Sequence, residues 1–226
     1  MKKIIIIFFL VLTSSVSMAH MDHYKKFNKI EMEIIRNDEI IGYNYYFFKR
    51  NDDKTIINTQ FKFEVKLFGT SVFRVEGFGE ETYYKGKLVS YQSKTLQNKK
   101  EKFVDLQFNK KTEKFDIKGS SYNGEASSKN IIGNWWNHKI LQAESQISPI
   151  SGSIKDQIVT FVGKENIILN GKNYNTDHFK LNSKDKSIPE DKKLNLDIWV
   201  DKETSMIIRV TYQRMGNWEY RLRSFN

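Results

Sequence analysis

Through most of the chain, apolar and polar residues alternate one by one. Phe61, Phe63, Val65 and Leu67 are interleaved with Lys62, Glu64 and Lys66, and Leu194, Leu196, Ile198 and Val200 with Asn195, Asp197 and Trp199. Met206, Ile208, Val210 and Tyr212 repeat the pattern, and so do Trp218, Tyr220 and Leu222. A period of two sends successive side chains to opposite faces of a strand, so these runs predict half-buried β-strands with one wet face.

Turn signals punctuate the runs at short intervals. Asn37-Asp38-Glu39, Asn51-Asp52-Asp53, Gly69-Thr70-Ser71, Lys85-Gly86-Lys87, Asn98-Lys99-Lys100, Asn170-Gly171 and Met215-Gly216-Asn217 each fall between two alternating segments. Asn-Gly is the strongest of them, because both residues adopt the positive φ that a tight hairpin needs. Strands joined in this way form an antiparallel meander. The stretches 40–50 and 54–68 have no internal breaker, and antiparallel strands of that length twist and coil when they pack. The expected fold is therefore all-β and mainly antiparallel, a highly curved meander sheet or partial barrel, with closure left open.

Two segments break the rhythm. Residues 182–193, "NSKDKSIPEDKK", are polar with a proline and predict an exposed loop. Between 134 and 145 the apolar residues Trp135, Trp136, Ile140, Leu141 and Ala143 do not alternate, Asn134 offers a cap, and Ser148-Pro149 offers a stop. One short helix is expected there, joining an N-terminal meander to a C-terminal one without a linker.

The first residues read differently from the rest. Lys2 and Lys3 precede the apolar run Ile4 to Leu12, and Ser17-Met18-Ala19 places small residues where a signal peptidase looks. This pattern predicts a secretory signal peptide over residues 1–19, cleavage before His20 and a periplasmic product. No later segment offers the roughly 20 apolar residues of a spanning helix, so no transmembrane segment is expected after cleavage. Setting the leader aside leaves 207 of the 226 residues, read as a single domain over 20–226. A chain of that size buries about 70% of its unfolded surface around one core without staples. There is no cysteine, hence no disulfide framework and no thiolate chemistry.

The formal charge of +10 falls to +8 without Lys2 and Lys3. The lysines are spread along every segment and interleaved with acids, whereas a nucleic-acid footprint is clustered. No nucleic-acid partner is expected.

Motif chemistry is sparse. Gly77-Phe78-Gly79 is half a dinucleotide fingerprint with strands on both sides and no helix to receive a phosphate. No nucleophile elbow and no HExxH occurs. Glu80 and Glu81 are adjacent, which in a strand sends them to opposite faces, and both are read as solvated. No catalytic residue and no cofactor are expected, although a constellation assembled from distant residues is invisible at this level. His20 and His23 are weak metal candidates, an α-amino group and two imidazoles that could chelate copper.

"GNWWNHKI", Gly133 to Ile140, holds two of the four tryptophans. Two readings of Trp135 and Trp136 stand side by side. In one the rings are ordinary core beneath a lid. In the other they line a cavity on the concave face, with Asn137 beside them and Trp199 or Phe73 opposite, leaving room for an apolar ligand.

Three stretches together resemble a family of exported bacterial proteins known only as a domain of unknown function. They are Asn37 to Phe48, "NDEIIGYNYYFF"; Glu80 to Thr95, "EETYYKGKLVSYQSKT"; and Gly133 to Asn137, "GNWWN". In the last, Trp136 and Asn137 match the family's element, while Asn134 and Trp135 replace its usual Ser and Tyr. The resemblance implies an exported address and an all-β shape, but no chemistry. That architecture is in turn similar to the lidded half-barrels of periplasmic lipoprotein and lipid carriers. The expected role is non-catalytic: carriage of an apolar, lipid-like ligand under the Trp-rich helix, or a filled-core envelope protein recognising another envelope protein; an unrecognised enzyme is the third reading.

Overall fold

The computed structural model describes Tyr24 and residues 26–226. The leader expected over 1–19 and the candidate ligands His20 and His23 lie outside the described residues. An N-terminal meander runs through β1 (Lys29–Arg36), β2 (Glu39–Asn51), β3 (Lys54–Leu67), β4 (Thr70–Tyr84), β5 (Lys87–Gln97), β6 (Lys100–Asn109), β7 (Lys114–Gly119) and β8 (Asn123–Ser127). Short strands β9 (Ile131–Ile132) and β10 (Ser145–Ile147) follow. The C-terminal meander is β11 (Ile154–Leu169), β12 (Lys172–Ser183), β13 (Asn195–Asp201), β14 (Ile207–Gln213) and β15 (Asn217–Phe225).

All fifteen strands join one sheet in the order β8-β7-β6-β5-β4-β3-β2-β1-β15-β14-β13-β12-β11-β10-β9. The first and last strands of the described residues meet in its middle, where Ile34 pairs with Tyr220 and Glu33 with Arg221. Every pairing is antiparallel except β9 with β10. The order is open, so the sheet is not a closed barrel.

The turns sit where local backbone preference places them. Asn37-Asp38 and Asn170-Gly171 both have two residues in the left-handed region, as a two-residue hairpin requires. The turn expected at Gly69 to Ser71 lies one residue earlier, with Phe68 at φ 50° and Gly69 at φ 77°. Phe68 is consequently thrown outward and is 98% exposed.

The break between the meanders is helical only over His138–Leu141, a single 3-10 turn. Its cap is Asn137, whose Oδ1 accepts the Lys139 N–H at 3.1 Å, and not Asn134. The reason is that side chains of the sheet take the groups a longer helix would have used. The Asn134 amide donates to Glu81 at 2.6 Å, and the Trp135 N–H donates to the Tyr46 hydroxyl at 3.1 Å.

This segment runs through the concavity rather than over it. Trp136 packs against Tyr24, Phe48 and Tyr83, while Ile140 is buried with Leu181, Ile198 and Val210 of the other meander. Further along, the Pro149 carbonyl accepts from Tyr91 at 2.9 Å and Ser93 at 2.7 Å, both on β5. Residues 133–150 thus form an internal strap that both halves of the sheet wrap around. Among the described residues, no helix is long and apolar enough to cross a membrane.

Candidate functional site

The inner face of the N-terminal half is built in rows across the strands. One row reads Phe48, Ile57, Glu81, Tyr91, Leu106 and Ile117, from β2 through β7. Five of the six are core residues, and the sixth is a carboxylate with 1% exposure. Glu80 is exposed, so alternation did separate the two acids, but the expectation that both are solvated fails for Glu81. The signal was present: Val75, Gly77, Gly79, Glu81 and Tyr83 share one phase of β4, and the strongly apolar members of that set had to face the core.

Glu81 is met entirely by neutral donors. Its Oε1 accepts from the Asn134 amide at 2.6 Å and the Trp136 indole at 2.8 Å, and its Oε2 accepts from the Tyr83 hydroxyl at 2.6 Å. Burial pushes its carboxyl above the ordinary value, and the hydrogen bonds from Tyr83, Trp136 and Asn134 pull the other way. Tyr24 closes the cluster. Its hydroxyl lies 2.7 Å from Nδ1 of His138 and accepts the His138 N–H at 3.2 Å. Burial raises the Tyr24 phenol well beyond its usual range.

Trp136 is therefore a wall, 1% exposed and hydrogen-bonded. Its two neighbours in sequence look elsewhere. Trp135, half-buried, packs against Tyr220 with ring centroids 5.8 Å apart and lines a cavity of 520 Å³. Tyr212, Leu194, Leu196 and Ile150 complete the apolar lining, with Lys155, Lys193, Arg214, Glu190 and Asp191 toward the rim. Burial pushes the Tyr220 phenol up to about 12 and the Tyr212 phenol higher still. Burial, then the nearby Arg214 guanidinium, holds the Lys155 ammonium below its usual value.

Asn137 faces a second cleft, of 640 Å³, with Leu88, Phe108, Phe115 and Ile131 on its floor and Lys139 beside them. The antiparallel register places the two at opposite ends of the sheet. The second cleft is bounded by the β4–β5 and β6–β7 turns, whereas the Trp135 cavity lies at the β14–β15 turn.

The other two expected ligand residues are not part of either space. Phe73 packs against Phe63, in the cluster around Ile34, Val65 and Trp218. Trp199 stacks on His178 at 4.3 Å, carries the Arg209 guanidinium at 5.0 Å and donates its indole N–H to Glu165 at 2.9 Å. The ring that faces Trp135 is Tyr220. Its place could be read from alternation with Trp218 and Leu222, but its pairing with Trp135 could not. Among the described residues no group of three or more His, Cys, Asp or Glu could hold a metal ion.

Residues 32–223 match the family described as Domain of unknown function (DUF6134). The chain belongs to that family. The match starts in β1 and ends in β15, so the whole two-meander sheet with its strap is the family's unit. The chain is also similar to the crystal structure of a beta-barrel-like protein of domain of unknown function DUF1849 from Brucella abortus. That likeness has a TM-score of 0.56 at 10% identity and covers 88% of this chain and 95% of the other. At such identity it speaks for the fold alone. No curated protein matches the chain.

Proposed function

We propose that this DUF6134 protein is an exported, non-catalytic binding protein that holds an apolar, lipid-like ligand in the cavity beside Trp135. The observation that carries this reading is the cavity itself. It is 520 Å³, within the usual range for small-molecule sites, and is walled by Trp135, Tyr212, Tyr220, Leu194, Leu196 and Ile150. Burying apolar ligand surface there contributes about 25 cal/mol per Å². The leader pattern of residues 1–19 supports periplasmic residence. A binding role, rather than catalysis, is supported by the state of Glu81. Both of its oxygens are engaged by neutral donors, and its 1% exposure leaves no path to a substrate.

The test is native purification of the exported protein, solvent extraction and mass spectrometry beside a mock preparation. A stoichiometric lipid-like species is expected. A clean extract together with unchanged tryptophan fluorescence on adding lipids overturns the reading.

One observation favours the second reading, an envelope interaction protein. Phe68 and Met215, at the tips of the β3–β4 and β14–β15 turns, are 98% and 90% exposed. Capture of a defined envelope protein that is lost in Phe68→Ser, without any bound lipid, would favour it.

A further inference from the structure

The rim of the Trp135 cavity is asymmetric in charge. Lys155 Nζ donates to the Lys192 carbonyl at 3.0 Å, and Arg214 Nη2 donates to the Lys193 carbonyl at 3.3 Å. Two cations, Lys155 on β11 and Arg214 in the β14–β15 turn, thus converge on consecutive carbonyls of one loop. Neither forms an ion pair among the described residues. The third rim cation, Lys193, is engaged by Glu190, and Asp191 completes the charged groups of the rim.

Two like charges held together beside an apolar, aromatic cavity repel each other, and the partly buried Lys155 also loses hydration; both costs fall when an anion sits between them. A carbonyl oxygen gives each of them only a partial charge.

We propose that the ligand is an amphiphile with one acidic headgroup, its head seated between Lys155 and Arg214 and its chain against Trp135, Tyr212 and Tyr220. This rests on the binding role proposed for the same cavity. It adds a polarity and a direction, with the head at the β14–β15 end and the tail pointing inward. The Tyr212 and Tyr220 rings offer flat apolar surface to the chain.

The probes are three twelve-carbon chains: dodecanoate, the near-isosteric neutral dodecanamide, and the cationic dodecylamine. They are titrated below micelle formation into the full mature protein at mildly alkaline pH, with tryptophan fluorescence as the readout. Dodecanoate is expected to bind about tenfold more tightly than dodecanamide, the strength of one charge-assisted contact. Dodecylamine is expected to bind least, and the preference for dodecanoate to shrink with added salt.

Lys155→Gln and Arg214→Gln should each remove most of that preference while leaving dodecanamide affinity within about twofold. Lys155→Arg should retain it. The comparison within the wild-type protein needs no variant, so the test stands even if one substitution impairs folding.

Equal affinity for dodecanoate and dodecanamide overturns the headgroup assignment and leaves the apolar-ligand reading intact. Failure of all three to bind overturns both. Loss of dodecanamide binding in Lys155→Gln, with a native melting profile, also overturns the assignment, because the cation would then act on the tail.

Discussion

The indole N–H of Trp136 donates to Oε1 of Glu81 at 2.8 Å, inside the curved sheet and with no cation contributing to the carboxylate's environment. One strand of the N-terminal half thereby fixes the strap in register. A buried carboxylate met by neutral donors is costly unless every donor stays in place. That makes this contact a sensitive probe of the strap.

Glu81→Ala leaves the Trp136 indole, the Asn134 amide and the Tyr83 hydroxyl without their partner. Each stranded donor costs about 1–3 kcal/mol, so a loss of at least ~3 kcal/mol is expected from urea unfolding. Glu81→Gln keeps an acceptor for Trp136 and Asn134, and the Tyr83 hydroxyl can turn to accept, so its cost should be well below that of Ala. Equal costs for the two would show that the hydrogen bonds do not hold the strap.

The same carboxyl sets a pH dependence. Burial holds its native pKa above the ordinary value that it has in the unfolded chain. The native state therefore binds the proton more tightly, and Glu81's stabilising contribution is complete below the unfolded pKa and lost as pH rises through the raised one. Wild type should lose stability relative to Glu81→Gln between acid and neutral pH. Urea midpoints of both proteins across that range read the difference, and a constant gap would contradict it.

Trp135 and Trp136 should separate cleanly on truncation. Trp136→Ala removes a fully buried ring packed on Tyr24, Phe48 and Tyr83 and is expected to cost about 3–5 kcal/mol. Trp135→Ala opens a ring that already borders a cavity, so it should cost less stability and more ligand affinity. Thermal melting and a lipid titration on each variant decide between this and the reverse order.

Gly42 tests the closeness of β2 and β3. A Cβ there would stand 2.0 Å from the Lys62 carbonyl oxygen, which is backbone and cannot swing away. Gly42→Ala should cost upwards of about 3 kcal/mol, at the high end for overpacking. Gly171→Ala, in open space but at φ 77°, should cost only the left-handed strain of about 1–2 kcal/mol. Comparable losses at the two positions would mean that β2 and β3 can spread.

Much of this architecture is written locally. Alternation placed Phe61, Phe63 and Val65 on one face, and Asn170-Gly171 gave a hairpin, because both depend on neighbours in sequence. The strap was less legible. The Asn134 side chain donates to Glu81, and the Trp135 and His138 backbone N–H groups donate to Tyr46 and Tyr24, partners that lie 53, 89 and 114 positions away, so the nonalternating run reads as a longer helix. A carboxylate ordinarily reads as solvated, and the phase of Glu81 along β4 with Val75 and Tyr83 is the contrary sign. Nothing local showed that Trp199 would stack on His178 or that Tyr220 would face Trp135.

The pairing of β1 with β15 joins residues 193 positions apart, as in the hydrogen bond from the Ser224 hydroxyl to Glu31. Chain entropy opposes such a contact until nearly everything between is already in place, and folds dominated by distant pairings assemble slowly. The centre of the sheet therefore cannot be completed before the final strand is available. Until then Ile34 and its neighbours on β1 present an unpaired apolar edge. An edge of that kind is a template for pairing with other strands until β15 covers it.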